Sequence, residues 1–260
     1  MSIEKVLEYS FGLFKRDIKV VLPNVLSWIP SALLSLILFQ ATSTLGKMVS
    51  LETFEKIFTD VNLLWQIIQT VLVYVMISIP VFILSAVISI FLYCAYSDIT
   101  RQSLKRQQIS LASSFAVAKT KFWPLAWTYT VEFLIGLLVF GTLLALGIFG
   151  GLIGIALAIF AGVIALFLMI MFFYETPAIV VLENRSGWEA VKRSYEIGRK
   201  NLGSLFIVVL IVGLISGVVT NGMASIPYFG LVISNLALLF LDAWKYMIPN
   251  LFYYEYGKKK

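Results

Sequence analysis

A single apolar stretch, residues 125–173, limits the possible folds of this chain more than any other feature of its sequence. The stretch is about 49 residues long, whereas a helix needs about 20 apolar residues to cross the hydrocarbon core of a bilayer. It is too long for one span and suits two, and we expect the break at Phe149-Gly150-Gly151 because Gly-Gly is a turn signal. Strands of a membrane barrel would alternate apolar and polar residues, which these runs do not. The sequence therefore predicts an all-α polytopic membrane protein.

The composition agrees with a membrane protein. Of the 260 residues, 60% are hydrophobic and only 13% are charged, whereas a soluble domain is about half apolar and about a quarter charged. One soluble core cannot hide this excess. A net charge of +6 would suggest nucleic acid as the partner of a soluble protein. Here the distribution of positive charge around the membrane spans explains it better, so we expect membrane lipids as partners and no nucleic acid.

Six transmembrane helices in three helix pairs are predicted, in a single domain over residues 1–260. Their predicted bounds are residues 20–42, 63–96, 125–148, 151–174, 202–226 and 231–254. The second run is about 34 residues long, which is more than one span needs. Two short spans are the alternative, but Ser78-Ile79-Pro80 makes a poor hairpin turn. We therefore expect one long helix with a kink at Pro80.

Cytoplasmic amphipathic helices are predicted at residues 2–16, 110–121 and 186–200. In the third helix, Ser186 and Glu189 have the spacing of a capping box. When Ser2 is aligned with Ser186, Ser10 falls on Ser194 and the basic turns that follow the two helices coincide. This match suggests a repeated unit of surface helix, basic turn and span. The alternative is that any basic amphipathic segment before a span looks alike.

The basic residues predict the orientation. With six spans, seventeen of the 20 lysines and arginines fall on the side of both termini, and cytoplasmic segments of membrane proteins are enriched in these residues. They are Lys5, Lys15, Arg16, Lys19, Arg101, Lys105, Arg106, Lys119, Lys121, Arg185, Lys192, Arg193, Arg199, Lys200, Lys258, Lys259 and Lys260. Lys47 and Lys56 fall on the other side. We expect a multi-pass protein of the cell membrane with cytoplasmic N- and C-termini.

Residues 180–206 read V-V-L-E-N-R-S-G-W-E-A-V-K-R-S-Y-E-I-G-R-K-N-L-G-S-L-F. This segment, together with the six-span pattern, resembles the membrane domain associated with some bacterial glycerophosphodiester phosphodiesterases and related prokaryotic six-helix membrane proteins. The resemblance is carried by Glu183, Ala190, Ser194, Gly198 or Arg199, and Asn201. It implies a membrane module that contacts or senses lipids. In those phosphodiesterases a separate soluble domain holds the catalytic activity, so that activity is not expected here.

Three ionisable residues lie inside the predicted spans, where charge is costly and usually functional: Glu132, Asp242 and Lys245. Glu132 and Lys245 have similar predicted depths and could form an ion pair. Alternatively, Pro249 ends the last span early and Lys245 extends to the interface. In a transporter, further polar residues would line the same cavity; in a packed bundle they would bond between helices. These residues are Asn24, Gln69, Asn221 and Asn235.

Basic side chains on the amphipathic helices are candidates for binding anionic lipid headgroups. They are Lys15, Arg16, Lys192, Arg193, Arg199 and Lys200. The alternative is a solvated charged face that serves only as a topology signal. Small-residue pairs at Gly150/Gly154 and Gly213/Gly217 predict close helix contacts, within the chain, with a partner protein or in a homo-oligomer.

No catalytic constellation is present in the sequence. The chain has no histidine and one cysteine, and it lacks a P-loop and a dinucleotide-binding fingerprint. We expect no catalytic residues, no metal and no cofactor. The predicted function is a non-catalytic membrane module that contacts lipids or partner proteins through its basic helices. The alternative is a carrier of lipids or amphipathic small molecules. A cytoplasmically open polar cavity reaching Glu132 would favour the carrier, and a tightly packed bundle would favour the module.

Overall fold

The computed structural model describes residues 3–49, 60–224 and 230–257, and the regular structure within these ranges is entirely helical. The helices are α1 (Ile3–Arg16), a 3-10 segment (Ile18–Asn24), α2 (Val25–Met48), α3 (Val61–Leu104), α4 (Leu111–Phe149), α5 (Gly151–Phe173), α6 (Thr176–Leu182), α7 (Trp188–Lys200), α8 (Leu202–Ala224), α9 (Gly230–Phe252) and a π-helical turn (Tyr253–Gly257).

Five described stretches are long and apolar enough to cross a membrane. They are Ile18–Met48, Val61–Leu104, Leu111–Phe149, Gly151–Leu182 and Leu202–Val219. The chain thus has the helices of a multi-pass membrane protein. The predicted break is confirmed, because α4 ends at Phe149 and α5 begins at Gly151, which has a positive φ of 59°. The predicted sixth span, 231–254, falls mainly on α9, which is not among the five and remains a prediction.

The long second run forms one helix. Helix α3 contains 44 residues with Pro80 inside it, so it is about 66 Å long at 1.5 Å per residue. The prediction of one helix instead of two short spans is confirmed. The helix also continues past the predicted end at residue 96 to Leu104, and most of this extension is buried.

Helix α4 corrects one sequence prediction. We predicted a surface helix at 110–121 separate from a span at 125–148, but Leu111–Phe149 is one continuous helix of 39 residues. Ser110 is its N-cap and accepts a hydrogen bond from the backbone of Ser113, as the predicted helix start requires. Pro124 does not end the helix. It removes one backbone donor, and the Thr128 hydroxyl donates to the Pro124 carbonyl at 2.8 Å.

The chain divides into two units, whereas the sequence suggested a single domain. The smaller unit is Val25–Ser89, and the larger unit combines residues 1–24 with residues 90–260. In the smaller unit, the hydroxyls of Thr44 and Tyr74 form a hydrogen bond of 3.0 Å between α2 and α3.

The core of the larger unit is built around the C-terminal half of α9. Trp244, Met247, Ile248 and Leu251 are each at most 1% exposed. Pro249 lies within this buried segment without ending the helix. A helix that is apolar all round is expected at the centre of a bundle rather than on its surface.

The apolar faces of α1 and α7 pack inside the protein. We expected both helices to lie on the membrane surface. Instead, Val6 and Ser10 of α1 and Ala190 and Ile197 of α7 are at most 3% exposed. At Gly198, an added Cβ would lie 3.0 Å from the carbonyl oxygen of Met171, so α7 is in close contact with the end of α5. These faces are therefore covered by other helices.

A buried polar network joins the end of α3 to the start of α4. Asp98 is 0% exposed and accepts hydrogen bonds from Gln102 at 2.5 Å and Ser114 at 3.0 Å. The Arg101 guanidinium also pairs with its carboxylate. Gln102 in turn accepts from the Ser110 backbone at 2.8 Å. The network satisfies polar groups that burial would otherwise leave unpaired.

Candidate functional site

A cavity of about 410 Å³ lies in the larger unit and reaches Glu132. Helices α3, α4, α5 and α9 contribute to its walls, together with the segment that links α5 to α6. The lining residues are Tyr93, Tyr129, Glu132, Phe133, Leu166, Met169, Ile170, Phe173, Tyr174, Pro177 and Pro249. The volume lies in the range of small-molecule sites, which are mostly apolar with a few convergent polar groups.

Glu132 is the acidic group of this cavity. It is 9% exposed, and its Oε1 accepts a hydrogen bond of 2.6 Å from the Thr176 hydroxyl. Thr176 is the first residue of α6, which has a proline at its next position, where the missing N–H has no cost. Among the described residues, no lysine or arginine forms an ion pair with Glu132.

Three tyrosines supply the polar and aromatic wall. Tyr93, Tyr129 and Tyr174 all line the cavity. Tyr93 makes edge-to-face contacts with Tyr129 at 6.3 Å and with Tyr246 at 4.5 Å between ring centroids. Such pairs hold rings in fixed orientations, so the wall is formed in advance of any ligand.

The rim of the cavity is apolar and exposed. Phe133, Leu166 and Ile170 line it and are 65%, 53% and 45% exposed. All three lie on helices that are apolar enough to cross a membrane. The opening therefore faces the apolar surface of α4 and α5, and this surface differs from the cytoplasmic opening that we named as the sign of a carrier.

An apolar groove of about 730 Å³ lies further along α4 and α5. It is lined by Leu137, Phe140, Gly141, Leu143, Leu144, Gly147, Ile148, Ile155, Ala158 and Ile159. Leu137 and Leu144 follow Phe133 by four and eleven residues and so share its helix face. The groove thus continues the surface on which the Glu132 cavity opens.

The small-residue stripe on α5 is used inside the chain. An added Cβ at Gly154 would lie 2.6 Å from the carbonyl oxygen of Leu146, and at Gly150 it would lie 2.7 Å from the Cα of Gly154. The predicted partner face at Gly150/Gly154 is therefore occupied by the contact between α4 and α5. At Gly213 and Gly217 an added Cβ meets nothing within 4 Å.

The structure does not bring Glu132 and Lys245 together as an ion pair. Lys245 pairs with Asp242 at 3.2 Å, one turn away on α9, while Glu132 bonds Thr176. Neither Asp242 nor Lys245 is among the lining residues of the cavity. The alternative that Pro249 ends the last helix early is wrong, because α9 continues to Phe252.

The other polar residues that we expected in a transport cavity lie elsewhere. Asn24 is buried and donates to the Leu239 carbonyl at 2.8 Å. Gln69 lines a separate cavity of about 460 Å³ within the smaller unit, with Gln66 and Thr70. The side chains of Asn221 and Asn235 lie outside the described residues.

The predicted capping box of α7 is wrong. The N-cap is Gly187, at φ 58° and ψ −134°, and no side chain caps the helix. The Gly187 N–H donates instead to the Thr128 hydroxyl of α4 at 2.7 Å. A contact 59 residues away in sequence thus replaces the local cap offered by Ser186 and Glu189.

The basic residues of α7 divide into two groups. Arg193 is a structural residue: it bonds Glu183 at 3.1 Å and the Gly257 carbonyl at 3.0 Å, and Tyr253 also donates to Glu183 at 2.8 Å. Lys192, Arg199 and Lys200 are exposed. The side chains of the remaining candidates, Lys15 and Arg16, lie outside the described residues.

Several site residues escaped the sequence analysis. The three tyrosines and Thr176 were not predicted to meet Glu132, although polar groups inside apolar runs are the signal that should have drawn notice. Glu175, which is 1% exposed, was missed because we ended the fourth span at residue 174. Among the described residues, no group of three or more cysteine, aspartate or glutamate side chains is placed to hold a metal ion.

No protein-family model, curated protein or solved structure matches this chain. The resemblance to phosphodiesterase-associated membrane domains therefore remains a prediction from the sequence.

Proposed function

We propose that this protein is a non-catalytic membrane carrier that takes up lipids or amphipathic small molecules from the bilayer into the cavity at Glu132. One observation carries the proposal: a buried carboxylate without a basic partner among the described residues lines a cavity with an exposed apolar rim. Acidic groups within membrane spans are costly and mark ligand or ion pathways. An apolar rim suits a ligand that arrives through the hydrocarbon layer.

The proposal includes the topology. We take α9 as a sixth span, the spans as three helix pairs, and both termini as cytoplasmic, because basic residues concentrate on their side of the chain. In this arrangement Glu132 follows Lys121, the last basic residue before it on α4, by about 16 Å of helix. A polar headgroup in the cavity would then lie below the interface, and this depth suits a carrier better than a surface receptor.

Flux of labelled lipid in reconstituted vesicles tests the carrier. We expect the native protein to move a fluorescent amphiphile between leaflets faster than empty vesicles do. Glu132→Leu, which removes the polar group while keeping the apolar surroundings, should reduce that rate at least about tenfold, since a lost interaction of about 1.4 kcal/mol suffices. Glu189→Gln, at an exposed position on α7, is the matched control. Equal rates for native protein and empty vesicles would overturn the proposal.

A second candidate function is contact with anionic lipid at the membrane surface. It is favoured by a stripe of exposed side chains on α7, namely Trp188, Lys192, Tyr195 and Arg199, which are spaced to share one helix face. Each basic residue near an anionic surface contributes about 1 kcal/mol. Replacing Lys192 and Arg199 by Gln should lower the retention of anionic lipid through purification, while zwitterionic lipid is unaffected. Unchanged retention of both lipids would exclude this function.

A further inference from the structure

We infer that the ligand of the Glu132 cavity is a single-chain amphiphile with a cationic ammonium head. The head would bind in the cavity at Glu132 and the chain would lie in the apolar groove along α4 and α5. This inference rests on the proposed function, since it names the class of molecule that the carrier would take. It depends on three features of the described residues.

The first feature is the charge of the cavity. Its lining includes one acid, Glu132, and no lysine or arginine. An anionic head would therefore meet a carboxylate with no compensating positive charge, whereas a cationic head would supply the missing partner. Buried charges are stable when they are paired. The cavity thus favours a cation.

The second feature is the aromatic wall. Tyr93, Tyr129, Tyr174 and Phe173 line the same space as Glu132. Aromatic rings attract ammonium groups through their negative faces, and this attraction is strongest in desolvated sites. Several rings around one carboxylate suit an alkylammonium better than a compact, strongly hydrated metal cation, which would need more oxygen ligands.

The third feature is the groove next to the cavity. From Leu137 to Ile148 the groove extends about 16 Å along α4, the reach of a dodecyl to tetradecyl chain. It begins one helical turn after Phe133, on the rim of the cavity. A head at Glu132 can therefore extend one chain directly into the groove, and the apolar lining of the groove provides its binding surface.

Equilibrium binding to the full protein in zwitterionic nanodiscs tests the inference. The probe is radiolabelled tetradecyltrimethylammonium, and the comparison is tetradecylphosphocholine, which has the same chain with a zwitterionic head. We expect the native protein to bind the cationic probe at least about tenfold more tightly than the zwitterionic one, as an attraction of about 2 kcal/mol in a desolvated site implies. This preference is measured without any substitution, so it does not depend on a variant that folds.

Variants then separate head from chain. Glu132→Gln should remove the preference for the cation, whereas Asp242→Asn, at an acid outside the cavity lining, should keep it. Gly141→Leu should weaken binding of the tetradecyl probe by filling the groove, since an added Cβ there meets nothing within 4 Å. It should leave tetramethylammonium binding unchanged.

The outcomes distinguish this inference from the proposed function. Equal binding of the cationic and zwitterionic probes would overturn the cationic head while leaving a carrier of amphiphiles in place. Binding of neither probe, together with an absence of lipid flux, would overturn both. Equal affinity for tetramethylammonium and for the tetradecyl probe would overturn the role of the groove.

Discussion

The indole Nε1–H of Trp244 donates a hydrogen bond of 2.7 Å to the hydroxyl of Ser10, which lies 234 residues earlier in the chain. Both side chains are at most 1% exposed, and Ser10 in turn donates to the Leu7 carbonyl at 2.6 Å. The ring of Phe11 packs 5.1 Å from that of Trp244. The first helix is thereby part of the same core as the last one.

Ser10→Ala should destabilise the protein by about 1–3 kcal/mol, because it leaves the buried indole donor without an acceptor. Thermal unfolding of the purified protein in detergent measures the change. Ser35→Ala is the matched control, since Ser35 is exposed and bonds only within its own helix, to the Ser31 carbonyl. Adding Trp244→Phe to Ser10→Ala should recover part of the loss. A Ser10→Ala protein as stable as the Ser35→Ala protein would contradict the role of this bond.

Gly187→Ala should destabilise the protein by about 1–3 kcal/mol, the usual cost of a side chain in a sparsely populated backbone region. Gly187 has φ 58°, and an added Cβ would lie 2.7 Å from Nε1 of Trp127. Chemical denaturation of the two purified variants compares it with Gly213→Ala, where the added methyl group meets nothing. We expect Gly213→Ala to be neutral or slightly stabilising because alanine favours helix. Two variants of equal stability would show that Gly187 is not constrained.

Asp98→Asn should cost about 1.5–3 kcal/mol, since it weakens hydrogen bonds to a charged acceptor that is fully buried. Ser114→Ala should cost less, because Gln102 and Arg101 still bond the carboxylate. Glu189→Gln, a carboxylate-to-amide change on the exposed face of α7, should fall within about 0.5 kcal/mol of the native protein. Melting temperatures in one detergent rank the three variants, and any order other than Asp98→Asn as the least stable would refute the network's role.

Lys47→Cys should react with a membrane-impermeant maleimide on intact cells, and Lys192→Cys should react only after the membrane is opened. The expectation follows from the concentration of basic residues on the side of the termini. The native protein serves as the background control, because its one cysteine, Cys94, is 0% exposed. Labelling of Lys192→Cys on intact cells would reverse the proposed orientation.

The helices and their main break could be predicted because they follow from local sequence. The apolar run over 63–96 yields one helix, and Gly150-Gly151 yields a turn, whatever packs around them. The start of α7 could not be predicted, because Gly187 bonds Thr128 and nothing in residues 186–189 indicates that partner. Periodicity also misled us about α1 and α7, since an apolar helix face looks the same whether it meets lipid or other helices.

The predicted repeat gains one structural observation. Ser10 and Ser194, which the alignment superposes, are buried at 0% and 1% exposure. Ser114 lies five residues before Lys119, as Ser10 lies five before Lys15, and it is also 0% exposed. The sequence suggested a weaker middle copy, yet all three serines occupy buried positions at the start of a helical unit.

The position of α9 has a consequence for biosynthesis. A ribosome makes this helix last, yet its buried half holds Trp244, against which α1, the first helix made, is packed. Until α9 has left the ribosome, the Ser10 face of α1 lacks its partner. Release of a chain truncated before residue 242 should therefore leave inserted helices with an open cytoplasmic end, a substrate for membrane proteases.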